Sequence, residues 1–365
     1  MRKLASIQRI ESLTPIRGKD MIVLARVLGW QVIVRKADYN VGDLCVYVEI
    51  DSVMPEKPEF EFLRSKNFRI KTMKMAGVVS QGICFPLSIL PAKESAYEVG
   101  EDVTEVLGIT KYDEYQEEPP AKEPERKSWL RQFMFKHPLT RPLAKRIWGG
   151  SSKERLGFPE FIAKTDEIRV QTLDYAELLA RDLTYEVHEK IDGQSGTFIL
   201  SKRKHRLPFT DRYEFMVCSR NWRLNKPDDS SYWAVAEKYR IRDVLEKLIG
   251  SHDFICIQGE CVGPKIQGNP YRKESFDLYC FNLVTPEGRI DSVIAEKMVA
   301  KYGLKWVPAI DLRFTLPDTV DELLQMATGE SKLYPTLREG LVLRNYENGI
   351  SFKAVSNEYL MKHCK

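Results

Sequence analysis

The run Phe254-Ile255-Cys256-Ile257-Gln258-Gly259-Glu260-Cys261-Val262 constrains the fold more than any other part of the chain. It is too apolar for a solvated surface and too short to cross a bilayer, so it reads as a buried strand. Glu260 inside it needs a partner or a metal, because an unpaired carboxylate is costly to bury. Phe276 to Val284 repeats the strand character. Around these two lie further strands at Leu183–Ile191, Gly196–Leu200, Phe215–Ser219, Glu339–Arg344 and Ile350–Ala354. Helical periods run through Asp174–Arg181, Ser230–Ile249, Ser292–Tyr302 and Val320–Ala327. Strands and helices mix without strict alternation, which excludes a Rossmann pattern. The class is α+β, with mixed antiparallel sheets and flanking helices beginning near Phe158.

The N-terminal third reads differently. Ile22–Val27, Gln31–Val34 and Cys45–Ile50 are β-branched and apolar, with Gly29 as a turn or bulge and Val41-Gly42-Asp43 as a turn. Phe68–Met75 alternates apolar with polar, and Val78–Cys84 follows. Roughly five strands of this size suit an OB-like β-barrel. Tyr112 to Glu125, rich in Glu and Pro, reads as an extended linker. Ala121 to Arg155 then carries ten Lys/Arg against three Glu, an excess of +7 in a chain that nets only +4. That segment is either a phosphate-binding patch or a solvated basic connector, and a short helix or two is expected in it. The division is 1–115 OB-like, 116–157 a basic linker or helical segment and 158–365 a second, larger unit of mixed strands and helices.

No apolar run reaches membrane-spanning length, and Met1-Arg2-Lys3-Leu4-Ala5 lacks a signal-peptide core, so an intracellular, soluble protein is expected, with no membrane partner. The seven cysteines form no Cys-x-x-Cys pair, which argues against a zinc site or a disulfide framework.

Chemistry concentrates at Glu189-Lys190-Ile191-Asp192-Gly193. A period of two puts Lys190 and Asp192 on one strand face. A lysine amine attacks phosphorus only when unprotonated, so its pKa must fall. A nearby carboxylate alone would raise it, and a divalent cation held by Asp192 would reverse that sign. Five further pieces follow in order: Cys218-Ser219-Arg220-Asn221; Gln258-Gly259-Glu260; Leu278-Tyr279-Cys280-Phe281-Asn282; Glu339-Gly340-Leu341-Val342-Leu343-Arg344; and Ser351-Phe352-Lys353-Ala354-Val355. Each alone also fits ordinary packing or a surface salt bridge. His188, next to Glu189 on the alternate face, reads as structural. In the OB-like unit Arg35, Lys36, Arg69, Lys71 and Lys74, with Phe68 nearby, are either phosphate grips or an ordinary charged face.

Taken in order, these pieces resemble motifs I, Ia, III, IIIa, IV and V of the covalent nucleotidyltransferases, which comprise DNA ligases, RNA ligases and mRNA-capping guanylyltransferases. Their catalytic domain is the ATP-grasp-like ligase adenylylation fold. Lys164-Thr165-Asp166-Glu167-Ile168-Arg169-Val170-Gln171 before motif I and Gly263-Pro264-Lys265-Ile266-Gln267-Gly268-Asn269 after motif III resemble the RNA ligase 2-like group. With the N-terminal β unit, nearly the whole chain is similar to the RNA ligase 5 family of Naegleria and Deinococcus type.

The resemblance implies an ATP-dependent RNA ligase. Lys190 would form lysyl-AMP, AMP would pass to a 5′-phosphate, and a nick with an RNA 3′-OH would be sealed, in RNA repair. It implies ATP as substrate, Mg2+ or Mn2+, a nicked RNA or RNA/DNA duplex, and a monomer. Glu189, Arg220, Glu260, Phe281, Glu339 and Lys353 would bind ATP or AMP, with Phe281 stacking on adenine and Tyr279 the second choice. Asp192, Glu260 and Glu339 would organise the metal. Related ligases carry Lys-x-Lys at motif V, whereas Ser351 and Val355 flank Lys353 here, so the second charge is expected from Arg344 or Lys362. The alternatives are a capping-type guanylyltransferase and a non-catalytic nucleic-acid-binding homologue.

Overall fold

The computed structural model describes residues 3–91, 97–112, 156–203, 212–224 and 230–363. The expected basic segment, up to residue 155, lies outside the described residues. The N-terminal unit contains β1 (Ala5–Arg9), β2 (Ser12–Ile16), β3 (Lys19–Val27), β4 (Trp30–Arg35), β5 (Leu44–Val48), β6 (Ser52–Val53), β7 (Met73–Met75), β8 (Val78–Ser80), β9 (Ile83–Phe85) and β10 (Thr110–Lys111). Its sheets run β1-β5-β9, β2-β3-β4, β7-β8 and β10-β6. β3 and β4 alternate buried and half-exposed residues, the mark of a sheet closed over its own core. Trp30 and Tyr47 fill one part of that core, and Ile7, Met54 and Phe60 fill another. The expected long strand over Phe68–Met75 shrinks to Met73–Met75. Asn67 and Phe68 take positive φ of 50° and 56°, which breaks the pleat, and Phe68 turns into the core.

The catalytic unit contains β11 (Leu156–Gly157), β12 (Ile168–Arg169), β13 (Thr184–Lys190), β14 (Gln194–Lys202), β15 (Tyr213–Cys218), β16 (Trp222–Leu224), β17 (Phe254–Val262), β18 (Asp277–Thr285), β19 (Gly288–Arg289), β20 (Lys305–Trp306), β21 (Ala309–Thr315), β22 (Gly340–Asn345) and β23 (Ile350–Val355). They form two sheets. One runs β11-β16-β15-β14-β17-β18-β19, with β20 also on β18; the other runs β12-β23-β22-β13-β21. β17 sits centrally between β14 and β18, as its apolar run demands. The first sheet packs on helices Ser231–Lys238, Ile241–Leu248 and Ser292–Ala300 through Val235, Leu245, Ala295 and Val299. The second packs on helix Val320–Ala327 through Leu323 and Leu324. The single helical period expected over Ser230–Ile249 is two helices, because Arg240 takes φ 48° between them. Asp174 and Thr319 cap their helices by accepting the N–H of Glu177 and Glu322, so the sequence limits hold at those ends. The chain passes from the second sheet to the first at the β13–β14 turn, and that turn holds Asp192 and Gly193.

The two units touch directly. The N–H of Gly29 donates to the Gln171 carbonyl at 3.0 Å. A Cβ at Gly29 would lie 2.7 Å from Gln171 Cα, so this glycine serves a close approach of backbones rather than a bulge. Arg26 pairs with Asp321, and the Thr172 hydroxyl donates to Glu49 at 3.0 Å.

Candidate active site

A cavity of about 770 Å3 opens where the two catalytic sheets and the N-terminal unit meet. That volume suits a nucleotide-sized ligand. Lys190 ends β13 in register with Gly340, and Glu339 directly precedes β22. The Lys190 Nζ donates to Glu339 Oε2 at 2.6 Å. Burial pulls the amine's pKa down, but Glu339, Glu260 and Asp192 outweigh it and hold it above the ordinary lysine value. Burial lifts the Glu260 carboxyl to about 8 against the pull of Lys190, and Glu339 and Asp192 add to the rise.

Asp192 stands beyond the strand, in the turn. Its backbone N–H donates to the Tyr271 hydroxyl at 2.8 Å, and its carboxylate accepts from the Tyr359 hydroxyl. Neither tyrosine was among the expected site residues. Helix Asn357–His363, which carries Tyr359, was not anticipated, and nothing in the order of the motifs indicates a hydroxyl partner for Asp192. A Cβ on Gly193 would lie 2.4 Å from the Cys261 carbonyl and 2.9 Å from Glu260 Cγ. This glycine therefore lets the turn press against β17 and brings Asp192 and Glu260 to one amine.

Three cations that line the cavity, Lys353, Arg169 and Arg220, come from two strands and the β15–β16 turn. Lys353 on β23 sits opposite Val342 on one side and Arg169 of β12 on the other. Burial, then Arg169 and Lys190, lower the Lys353 pKa to about 7. The positive charge beside Lys353 is thus Arg169. The expected source, Arg344, is committed elsewhere: its guanidinium donates to the Phe281 carbonyl at 2.7 Å and to Glu167 at 3.1 Å. A lysine pair i, i+2 is replaced here by a cross-strand pair, which linear spacing does not reveal. Arg220 lines the cavity and pairs with Asp166 at 2.7 Å.

A bulge separates the two candidate rings. Gln258 pairs with Asn282 but Gly259 pairs with Cys280, so Phe281 is the extra residue on β18. The bulge ends the alternation that would have put Tyr279 and Phe281 on one face. Phe281 lines the cavity with Val342 and Val307. Tyr279 is 6% exposed in the core, its hydroxyl accepting from Lys273 at 2.8 Å. Glu189 lies at the cavity wall, and one carboxylate oxygen accepts the Lys332 N–H at 2.8 Å. Burial raises its pKa. His188, on the Lys190 side of β13, also lines the cavity, and burial lowers its pKa to about 4, so the ring is neutral at pH 7.

Among the described residues no group of three His, Cys, Asp or Glu side chains is arranged to hold a metal alone. Asp192, Glu260 and Glu339 instead all act on the Lys190 ammonium. Their hard oxygens suit Mg2+ or Mn2+ only with a shell completed by substrate phosphates and water. Of the five basic residues expected in the N-terminal unit, Arg69 alone lines the cavity. It pairs with Asp51 at 3.1 Å and lies 3.4 Å from the Tyr112 ring centre. Arg35, Lys36, Lys71 and Lys74 are exposed outside it.

Residues 4–87 match an OB-fold domain model and residues 183–355 match an RNA ligase model. An RNA ligase of Naegleria gruberi with pyrophosphate superposes at a TM-score of 0.78, with 31% identity over 100% of this chain and 99% of that one. The chain belongs to the RNA ligase family. A glutamate-to-alanine variant of the same Naegleria enzyme, with ATP and manganese, matches at TM-score 0.77 and 31% identity over the full length of both chains. Another glutamate-to-alanine variant, with AMP and manganese, matches at 0.78 and 31% over 100% and 99%. No curated protein sequence matches. Family membership carries the fold expected for both units: an OB-fold followed by an RNA ligase nucleotidyltransferase domain. No described helix is long and apolar enough to cross a membrane.

Proposed function

We propose that this chain is an ATP-dependent RNA ligase in which Lys190 forms lysyl-AMP, AMP passes to a 5′-phosphate, and a nick with an RNA 3′-OH is sealed in RNA repair. The observation that carries this reading is the Lys190–Glu339 contact of 2.6 Å on the wall of a nucleotide-sized cavity that Phe281, Lys353 and Arg220 also line. The Lys190 ammonium loses a proton, with Glu339 the adjacent acceptor, and its nitrogen lone pair forms the N–P bond to the α-phosphate. The P–O bond to pyrophosphate breaks, and pyrophosphate leaves with that electron pair. Asp192, Glu260 and Glu339 would hold a divalent cation together with substrate and water, and it would neutralise charge on the carboxylates and on the leaving group. Lys353, Arg169 and Arg220 hold the phosphates, and Phe281 stacks on the base. The 5′-phosphate then displaces Lys190 from AMP, and the 3′-OH displaces AMP. These are in-line displacements, so positioning and electrostatics supply most of the rate. The enzyme acts as a monomer on nicked RNA or RNA/DNA duplexes.

The test is sealing of nicked duplexes carrying RNA or DNA on each side of the nick. Sealing with an RNA 3′-OH and ATP supports the proposal. A covalent adduct formed with GTP alone would move the chain to the capping enzymes, and the absence of any adduct would leave a binding protein.

A further inference from the structure

One carboxylate in the cavity gathers cations from both units. Asp166 accepts from Lys111 Nζ on one oxygen and from Arg220 Nη2 at 2.7 Å on the other, and Lys353 Nζ stands 3.9 Å from it. Although burial works against it, Arg220, Lys353 and Lys111 hold Asp166 well below the usual carboxylate range. Arg220 and Lys353 belong to the catalytic unit and are read above as phosphate ligands. Lys111 does not: it ends β10, on the edge of the N-terminal unit, in register with Ser52. Its place is fixed locally. The next residue, Tyr112, donates its N–H to the Asp51 carbonyl at 2.8 Å and carries the Arg69 guanidinium over its ring.

A single negative charge facing three phosphate-seeking cations has the chemistry of a bound phosphate. We propose that Asp166 stands in for the polyphosphate of ATP, and that Lys111 is a phosphate ligand supplied by the N-terminal unit that passes from Asp166 to the polyphosphate when ATP binds. The proposal rests on the ligase reading and adds a residue to it. Two like charges cannot share one set of donors in a cavity of low dielectric, so the incoming polyanion competes with Asp166 for Lys111, Arg220 and Lys353. Lys353 is the least free of these to move, at 15% exposed, whereas the Lys111 and Arg220 side chains are each 41% exposed. Of the two, only Lys111 comes from the N-terminal unit, on a flexible unbranched stem. The same exchange replaces a contact between the two units with one bridged by substrate.

The test is the affinity of the intact chain for inorganic pyrophosphate, measured by calorimetry, in which no bond is made. Lys111→Ala removes a charge-assisted contact and should weaken pyrophosphate binding about tenfold. Lys111→Arg should restore most of it. Asp166→Asn should tighten binding, because the competing anion is gone, and in that background Lys111→Ala should still weaken it. A merely structural Lys111–Asp166 contact would shift the melting temperature of both variants and leave pyrophosphate affinity unchanged, and that result overturns the proposal. So does weaker binding in Asp166→Asn, or a Lys111→Ala defect confined to binding of the nicked strand. The amount of AMP on Lys190 is scored separately by mass. A chain that never takes AMP refutes the ligase reading, while one that takes AMP with the wrong pyrophosphate pattern refutes only this proposal.

Discussion

Replacing Glu339 with glutamine should make Lys190 a better nucleophile toward small reagents and a worse one toward ATP. Glu339 Oε2 accepts a hydrogen bond from the Lys190 ammonium at 2.6 Å, and its charge is the largest influence raising that pKa. Glutamine keeps the shape and removes the charge. A charge-assisted hydrogen bond of this kind is worth ~1.5–3 kcal/mol. Burial then weighs more heavily against the ammonium, although Glu260 and Asp192 still oppose it. Competitive labelling of lysines with a small amine-reactive reagent across pH, read by peptide mass spectrometry, should show the Lys190 pKa falling. Lysyl-AMP formation from ATP should nevertheless slow by about a hundredfold or more, because the carboxylate proposed to organise the divalent cation and receive the proton is lost. An unchanged or raised Lys190 pKa in Glu339→Gln would refute the electrostatic account of the nucleophile, as would an adenylylation rate that follows reagent reactivity upward.

Three further outcomes are expected. Phe281→Ala should raise KM for ATP about tenfold, since stacking on a base is worth ~1–3 kcal/mol, whereas Tyr279→Phe should leave KM unchanged; steady-state adenylylation kinetics separate the two. Gly340→Ala should destabilise the fold and abolish adenylylation, because a Cβ there would lie 2.2 Å from the Ala354 carbonyl across the β22–β23 pair; thermal denaturation reads it. Lys353, with a pKa brought down to about 7, is largely neutral above that pH, and a polyanion favours its charged form. Pyrophosphate binding should therefore take up a proton above pH 7 and none well below it, as calorimetry in buffers of different ionisation enthalpy reports, and Lys353→Met should abolish the uptake.

The lysine, its carboxylates and the strands that carry them were legible because each sits in a local pattern: an apolar run interrupted by one charge, or a charge followed by a turn glycine. β17 and helix Val320–Ala327 begin and end where periodicity and capping put them. What escaped depends on relations between distant segments. The bulge that turns Phe281 into the cavity and leaves Tyr279 in the core is a property of the β17–β18 pairing, and no spacing within β18 announces it. Arg169 stands beside Lys353 only because β12 lies parallel to β23. Tyr271 and Tyr359 reach Asp192 from a loop and a helix 79 and 167 residues away in sequence. The split at Arg240 came from one residue with positive φ inside an otherwise helical period.

The most direct measurement is peptide mapping of the purified chain after incubation with ATP and magnesium. The account predicts AMP attached to Lys190, no adduct in Lys190→Ala, and release of the nucleotide when pyrophosphate is added back. An adduct on any other side chain, or none on a folded chain at saturating ATP, would contradict it.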